Sequence, residues 1–586
     1  MAEPARQNAP EELSESYSEL PPRAGAAAAA LATRLGRSLT ICDWLAQRGF
    51  SEPSSIERFL NPKLSELTLP DAMRDRVAAA DRLARAIRAG ERIVVFGDYD
   101  CDGMTATAIL TEILRALGGV VTPLLASRFD GGYGLSRAAL ERVLAAQPNI
   151  VVTCDCGSSD HESLRELARL QVDCIVVDHH LVPEEPLPAL AFLNPNRPDC
   201  GFAYKGLASC GLVLSLGAAL RTTLNQKLDL RNWLDLVAIG TIADVAPLDG
   251  DNRALVRAGL RALAEPKRPG LVALMQLAKL EGGAQLSSED ISFRIAPRLN
   301  APGRLGSALP SLELMLARDN NSAELLAAQL EQASVERKAQ QEQIQNEAIA
   351  EIEREGYAER AAIVLGREGW NHGIVGIVAG RLSERFRKPV VVFGFHHGHG
   401  RGSVRGPVGA RLHDALSRCA SLVIRFGGHQ AAAGVELEVA RLPAFREAFE
   451  AAIVSAGSAG ACQSESKVQS NPHSSALPPL DNALWLAPND DPSRVFNDLS
   501  ELEPCGLKNP SPSLLVEAKL VLAREVTGGH LKLELEVGRG RRLSGFGVNL
   551  GQRASSLGER VLVGGRLRRD RYRGGDAVEL FVERIF

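Results

Sequence analysis

The sequence predicts an α/β protein of several domains: a parallel-sheet domain, a long helix joining it to a second α/β domain, and a small antiparallel β-barrel at the end. Three observations carry this. From residue 93 onward, short Val- and Ile-rich runs recur, each ending in acidic or histidine residues. Apolar runs of four to six residues between helical stretches read as buried strands of a parallel sheet. Residues 322–355 contain neither Gly nor Pro and are rich in Ala, Glu, Gln and Leu, which predicts one long helix. From about residue 510 the runs alternate, as in LKLELEV and AVELFVERI, between Gly-rich turns. Alternation of this kind is the mark of half-buried antiparallel strands.

Taken in order, residues 1–40 are polar and Pro/Ala-rich and read as a flexible tail. Residues 41–90 have helical spacing and form a helical lead-in. Residues 91–320 form the first α/β domain, with strand candidates IVVFGDYD, NIVVTCDCG (149–157), VDCIVVDHH (172–180) and LDLVAIGTIADVAPL (234–248). Residues 321–356 are the connecting helix. Residues 357–455 form the second α/β domain, with AAIVLG and KPVVVFGF as strands and WNHGIVGIVAGRLSERF as the helix between. Residues 456–480 are Ser/Ala/Pro-rich and read as a linker. Residues 481–586 form an OB-like barrel.

Composition narrows the function classes. At 586 residues the chain exceeds one core. Its net charge of −4 gives no global basic footprint, so nucleic-acid contacts must come from local patches. No apolar run reaches the roughly 18–20 residues needed to span a bilayer. The N-terminus has no basic segment followed by an apolar one, so no secretory signal is expected. Ten cysteines in a chain of this length are not a disulfide density. They read as reduced thiols of a cytoplasmic protein.

The chemistry begins at IVVFGDYDCDG, where Asp98, Asp100 and Asp102 follow a buried run. Like charges this close repel, and burying them is costly unless a cation compensates. Alternating residues on an extended segment project the same way, so a pair can face one metal, and Gly103 lets the backbone turn into the next helix. The bland alternative is an acidic helix cap. CDCG supplies Asp155 at a second strand end, DHH supplies Asp178, His179 and His180, and IADVAPL supplies Asp244. Adjacent histidines on a strand point to opposite faces, so one binds metal and the other faces substrate. Cys154, Cys156 and His161 suggest zinc only weakly, because Cys-x-Cys lacks the usual spacer. An oxygen-rich set with imidazole suits Mn²⁺ or Mg²⁺, and two such ions are the standard apparatus for displacement at phosphorus.

GDYDCDG, TCDCG, VDHHLVPEEPLPALAFLNPN and GTIADVAPL, in that order, resemble the DHH phosphoesterase superfamily. SFRIAPRLNAPGRLGSA, GWNHGIVGIVAGRL, GRGSVRG and FGGHQAAAG extend the resemblance to its RecJ family of single-strand-specific 5′→3′ exonucleases. The resemblance implies a DHH domain, a connecting helix, a DHHA1 domain and an OB domain. It implies Asp98, Asp100, Asp102, Asp155, His179 and Asp244 as metal residues, with Asp155 bridging two ions. It makes Asp155, His179 and His180 catalytic, His180 facing the scissile phosphate or its leaving oxygen. It also implies substrate contacts from Arg298, Asn300 and Arg304, and from Arg401, Ser403, Arg405, Gly428 and His429. His372 is open between touching substrate and capping the helix after it. His396, His397 and His399 read as a polar loop. Arg566, Arg568, Arg569, Arg571 and Arg573, with Tyr572 among them, would line a single-strand groove; of these, Arg568, Arg571 and Tyr572 are the substrate candidates.

The expectation is a metal-dependent exonuclease that degrades single-stranded DNA to 5′-mononucleotides, in DNA repair and recombination. A single-strand-binding protein and a RecQ-type helicase are the partners the resemblance implies, with no membrane involved. Two rivals stand: a phosphodiesterase of nano-RNA or cyclic dinucleotides, which would not need the β tail, and a non-catalytic scaffold, which would have lost ligand residues.

Overall fold

A computed structural model describes residues 20–280, 283, 286–428, 432–460, 482–570, 573–574 and 577–586. These divide into two compact units, one within Thr68–Ala246 and Ala258–Pro472, the other within Met1–Leu67, Pro247–Arg257 and His473–Phe586.

In the first unit, the Val/Ile-rich runs form β1 (Arg92–Gly97), β2 (Val120–Leu125), β3 (Ile150–Cys154), β4 (Asp173–Val177) and β5 (Ala191–Leu193). All are parallel, in the order β2-β1-β3-β4-β5. β1, β3 and β4 are buried almost throughout, which is why they read as continuous apolar runs rather than alternating ones. Because β2 and β3 flank β1 on opposite sides, the chain reverses its winding between β1 and β3. A crevice opens there at the carboxyl ends of the strands, and the first two acidic motifs sit at that point.

The run 234–248 departs from expectation. It is a helix, Leu234–Ala243, buried on every side. A short apolar stretch does not separate a buried strand from a buried helix by periodicity, and Asp244 accordingly sits at a helix end, not a strand end. The connecting helix spans Asn320–Arg354, capped by Asp319, whose side chain accepts from Ser322 N at 2.9 Å. Beyond it, β6 (Ile363–Glu368) and β7 (Val390–His396) are parallel and enclose the helix Val375–Phe386. β8 (His399–Arg405), β9 (Arg425–Gly428) and β10 (Ala432–Glu438) complete a mixed sheet in the order β6-β7-β8-β10-β9. The histidine-rich stretch is the β7–β8 hairpin turn, with His397 and Gly398 at φ 50° and 80°.

In the second unit, β11 (Leu484–Trp485) leads into a closed barrel of β12 (Leu514–Val526), β13 (His530–Val537), β14 (Arg541–Gly547), β15 (Arg560–Arg569) and β16 (Val578–Ile585). The order β12-β13-β14-β16-β15, closed by β12–β15, with β14 and β16 parallel, is the OB topology. The N-terminal segment is a correction. Ala26–Leu35, where a flexible tail was expected, is a helix, and with Leu39–Gln47 and Pro53–Leu60 it buries Leu31, Ile41, Trp44, Ile56 and Leu60 against Leu514, Val516, Leu531 and Leu533 of the barrel. An alanine run reads as low complexity, yet alanine is the best helix former. The lead-in 41–90 therefore splits between the units, and residues 247–257 leave the first α/β domain for the barrel unit. Residues 456–460, read as linker, close the helix Leu442–Gly460; 461–480 lie outside the described residues.

No helix among the described residues is long and apolar enough to cross a membrane.

Candidate metal centre

The site is built where four chain segments end. β1 stops at Gly97 and a helix begins at Cys101, so Asp98, Asp100 and Asp102 do not alternate along one extended strand. Asp98 extends the ladder, its N–H donating to Cys154 O at 3.1 Å. Asp100 is the helix N-cap, its Oδ1 accepting from Asp102 N and Gly103 N, each at 3.1 Å. The cap reading and the metal reading thus hold together. Gly103 is needed for closeness rather than for a turn: a Cβ there would lie 2.6–2.8 Å from the backbone of Asp98. Asp102 is buried in the first helical turn, where its carboxylate accepts from Ser209 N at 2.7 Å and Cys210 N at 2.9 Å.

Asp155 follows β3 in the left-handed region, φ 63°, and its N–H donates to Val177 O at 2.9 Å. Ser209 Oγ donates to its Oδ1 at 3.1 Å. After β4, Asp178 folds the loop around itself, accepting from Ser158 N at 3.1 Å, His179 N at 2.8 Å and His180 N at 3.2 Å, with His180 Nδ1 at 2.7 Å. This loop ends the pleat. The two histidines do not point to opposite faces; their ring centres are 4.7 Å apart and both imidazoles meet Asp155. His179 Nε2 lies 3.2 Å from Asp155 Oδ1, 3.8 Å from Asp244 Oδ2 and 3.9 Å from Asp102 Oδ2. His180 Nδ1 lies 3.9 Å from Asp155 Oδ1.

Three clusters result, each with ligand atoms within 4.8 Å of one another: Asp98, Asp100 and Asp155; Asp102, His179 and Asp244; and Asp155, His179 and His180. Asp155 links the first to the third and lies against the second through His179. Burial and then the neighbouring carboxylates raise Asp98 and Asp155 well above the ordinary carboxyl range, and Asp244 to about 8. Burial holds His179 below its usual range. Burial opposes charge on both Asp178 and His180. Their hydrogen bond wins, holding Asp178 well below its usual range and His180 up at about 9. Asp98 Oδ1 and His179 Nε2 are buried with no hydrogen-bond partner. Packed carboxylates that resist ionisation, with ligand atoms left unmatched, fit divalent cations held by oxygen and one or two imidazoles. The thiols of Cys154 and Cys156 join none of the clusters, against the zinc reading.

The other predicted contacts fare unevenly. Arg298 is spent on the fold: it pairs with Glu331 of the connecting helix at 2.5 Å and donates to Arg294 O at 2.7 Å. Asn300 and Arg304 line a cavity beside Asp244. His372 is not a cap; Asn371 Oδ1 accepts from Gly373 N at 2.8 Å instead, and His372 lies against Phe129, ring centres 4.5 Å apart. Arg401, Ser403 and Arg405 share one face of β8, as alternate residues must. Arg405 donates to Ser403 Oγ at 2.8 Å, and Arg401 is held by Glu436 at 2.9 Å and donates to Arg128 O at 2.8 Å. Gly428 ends β9, while His429, Arg571 and Tyr572 lie outside the described residues. Among the described residues, three of the barrel arginines are paired with acids: Arg566 with Glu583 at 3.2 Å, Arg568 with Glu579 at 2.9 Å and Arg573 with Glu534 at 2.7 Å.

Residues unmarked in the sequence complete the site. Tyr133 donates to Asp155 O at 3.2 Å and lies 3.1 Å from His180 Nδ1. Arg128 stacks on Tyr99 at 3.8 Å. Asn194 and Asn196 donate to the carbonyls of His180 and His179 at 2.9 and 2.6 Å. Only the two asparagines carried a signal, the NPN that follows the histidine motif.

Three family profiles match the chain: the DHH family N-terminal domain at residues 92–241, the DHHA1 domain at 359–455 and the RecJ OB domain at 485–584. Among curated proteins, the single-stranded-DNA-specific exonuclease RecJ of Dickeya dadantii is 34% identical over 571 residues, covering 92% of this chain and 95% of that protein. The protein of that name from Bacillus subtilis is 33% identical over 538 residues, and this chain spans 64% of its length. Among solved structures, RecJ of Thermus thermophilus in complex with Mn²⁺ has a TM-score of 0.78 at 31% identity, covering 97% of this chain and 78% of that one. The same protein in complex with Mg²⁺ has a TM-score of 0.71 at 28% identity, covering 97% of this chain and 77% of that one.

Proposed function

This chain belongs to the RecJ family, and from that premise we propose that it is a metal-dependent exonuclease of single-stranded DNA, working 5′→3′ and releasing 5′-mononucleotides. The observation that carries the reading is the convergence of buried, charge-frustrated carboxylates with His179 around Asp155. Two ions, Mn²⁺ or Mg²⁺, held by Asp98, Asp100, Asp102, Asp155, His179 and Asp244 would supply an ionised water at neutral pH and offset charge on the phosphoryl oxygens.

The chain's own groups do the positioning. Ser209 and the amides of residues 209 and 210 hold Asp155 and Asp102. Asp178 accepts from His180 Nδ1–H, and because that pair holds His180 up at about 9 the ring keeps a second proton near neutral pH, whose Nε2–H is the donor offered to the phosphoryl group or to the departing 3′ oxygen. Attack at phosphorus breaks the P–O3′ bond; the freed mononucleotide keeps its original 5′-phosphate and the scissile phosphate becomes the new 5′ end. Ser403, Arg405, Arg304 and Arg128 are the grip for a 5′-phosphate, at the start of the helix Val375–Phe386, where Gly376 lies against Ser403 and Arg405. Anions are favoured at such a terminus. DNA repair and recombination, cytoplasmic location, and partnership with a single-strand-binding protein and a RecQ-type helicase belong to the same reading.

The test uses a long single strand labelled at either end, with Mn²⁺, for wild type and Asp155→Ala. Release of 5′-labelled mononucleotide by wild type alone is expected. An intact long strand beside a cleaved dinucleotide would make the enzyme a small-substrate phosphodiesterase.

A further inference from the structure

We infer that the cavity beside Asp244 is a second phosphate site, which takes a backbone phosphate of the strand on the 3′ side of the cut. This rests on the exonuclease reading above. The cavity, of about 290 Å³, is walled by Ile242, Ala243 and Val245, which bracket Asp244 in the chain, and by Asn300, Arg304 and Arg337.

Two of these are cations, Arg337 buried and Arg304 half-buried. Arg337, on the connecting helix, is 8% exposed; its Nη1 donates to the neutral Gln341 Oε1 at 3.0 Å, and its Nε has no partner. Arg304 donates only to Gly373 O, at 3.2 Å. Among the described residues, neither has an ion-pair partner. A buried charge with no counter-charge is costly, and an anion in the cavity would offset both. Arginine is the side chain best shaped for phosphate, and the Asn300 amide adds a neutral donor.

Two further features fit nucleic acid. Burial, then Arg128, then Arg337 lower Arg304 to about 9, and burial followed by Arg128 lowers Arg405. Arg304 thus feels both Arg128, of the proposed 5′-phosphate grip, and Arg337, of this cavity, so one guanidinium links the two sites. Val245 is held at φ 58° and is 65% exposed. A β-branched residue is rarely found there, and strain of that sort persists at functional sites. It sets an apolar surface on the cavity wall, where a sugar or base would lie.

The test compares Mn²⁺-loaded wild type and Arg337→Gln on a 5′-phosphorylated 12-mer and a 5′-phosphorylated dinucleotide, which has no phosphate beyond the scissile one. A charge-assisted hydrogen bond is worth roughly 10- to 100-fold, so the ratio of kcat/KM, 12-mer over dinucleotide, should fall about 10-fold or more in Arg337→Gln and recover largely in Arg337→Lys. A methylphosphonate scan of the 12-mer on wild type needs no variant. It should find one linkage 3′ of the cut whose neutralisation costs as much, and costs Arg337→Gln nothing further. An unchanged ratio with no sensitive linkage overturns the inference and leaves the exonuclease reading intact. A loss that disappears with a 5′-hydroxyl 12-mer assigns the cavity to the terminal phosphate and also overturns it. Wild type inert on both substrates would instead defeat the exonuclease reading.

Discussion

Removing the metal should make this protein's stability fall as pH rises. In the folded apo protein Asp98 and Asp155 stay protonated well above their ordinary range, and Asp244 does so up to about 8, each through burial and neighbouring carboxylates. In the unfolded chain the same groups ionise near 3.9. Between about pH 4 and pH 8 the folded state therefore holds protons that the unfolded state has lost. The contribution is fully present below about pH 4 and disappears as pH climbs through about 8. For Asp244 the gap covers about four decades of proton concentration at ~1.4 kcal/mol each, on the order of 5 kcal/mol; because the carboxyls interact, the cluster shares this rather than multiplying it. At roughly 2–4 °C per kcal/mol, thermal unfolding of EDTA-treated protein should drop by on the order of 10 °C between pH 5 and pH 8. Excess Mn²⁺ should restore most of the loss at pH 8 and little at pH 5, because cation and proton compete for the same oxygens. An apo melting temperature that stays level or rises over this interval would refute the reasoning, as would Mn²⁺ stabilising equally at both pH values.

Three further outcomes are expected. Gly103→Ala, which in an ordinary helix would gain up to about 1 kcal/mol, must here move the Asp98 backbone by about 0.7 Å to bring contacts of 2.6–2.8 Å to the ordinary 3.4 Å. A displacement on that scale should cost kcat roughly 100-fold, with Mn²⁺ affinity measured calorimetrically falling alongside; unchanged turnover would show that the helix yields instead. Arg298→Gln should lower stability by about 1 kcal/mol through the lost Glu331 pair and leave KM for single strands unchanged; a tenfold rise in KM at an unaltered melting temperature would return Arg298 to the substrate. Arg568→Gln should change single-strand affinity less than about 3-fold and the salt dependence by less than one phosphate contact, because Glu579 already engages that charge; anisotropy titrations at two salt concentrations decide this.

The architecture was legible because each device had a local cause. Buried parallel strands must be continuously apolar, a long helix must avoid Gly and Pro, and an OB barrel must alternate. The acidic cluster was legible for a related reason: clustered carboxylates after buried strands have few uses. What stayed hidden was geometry that sequence spacing does not encode. Leu234–Ala243 is buried on all sides, so it shows no helical stripe, and Asp244 was assigned to the wrong kind of element. The expected alternation of Asp98, Asp100 and Asp102, and of the two histidines, failed because the strands stop at Gly97 and Val177. Ser209 and Cys210 serve through backbone amides, which any residue could supply. The arginines misled in a different way. Arg298, Arg566 and Arg568 look alike in sequence to Arg304 and Arg337, but acids elsewhere in the chain pair with the first three, and among the described residues the last two have no ion-pair partner.

That contrast in pairing links the two halves of the site. A carboxylate at the end of the helix Leu234–Ala243 meets the negative end of the helix dipole, on top of Asp102 and Asp100. On folding grounds alone Asp244 is badly placed. Arg304, half-buried, and Arg337, buried, are badly placed by the same measure, as cations with no ion-pair partner among the described residues. Each fault has the sign that a substrate complex would correct: cations for the aspartates, phosphates for the arginines. Asp100 partly offsets Arg304 from a distance, yet among the described residues neither arginine forms an ion pair with the acidic cluster. Direct pairing would have relieved both at the expense of the empty space between them, and a metal-bridged phosphodiester needs that space. The separation of unlike charges across a cavity is thus stability given up for function.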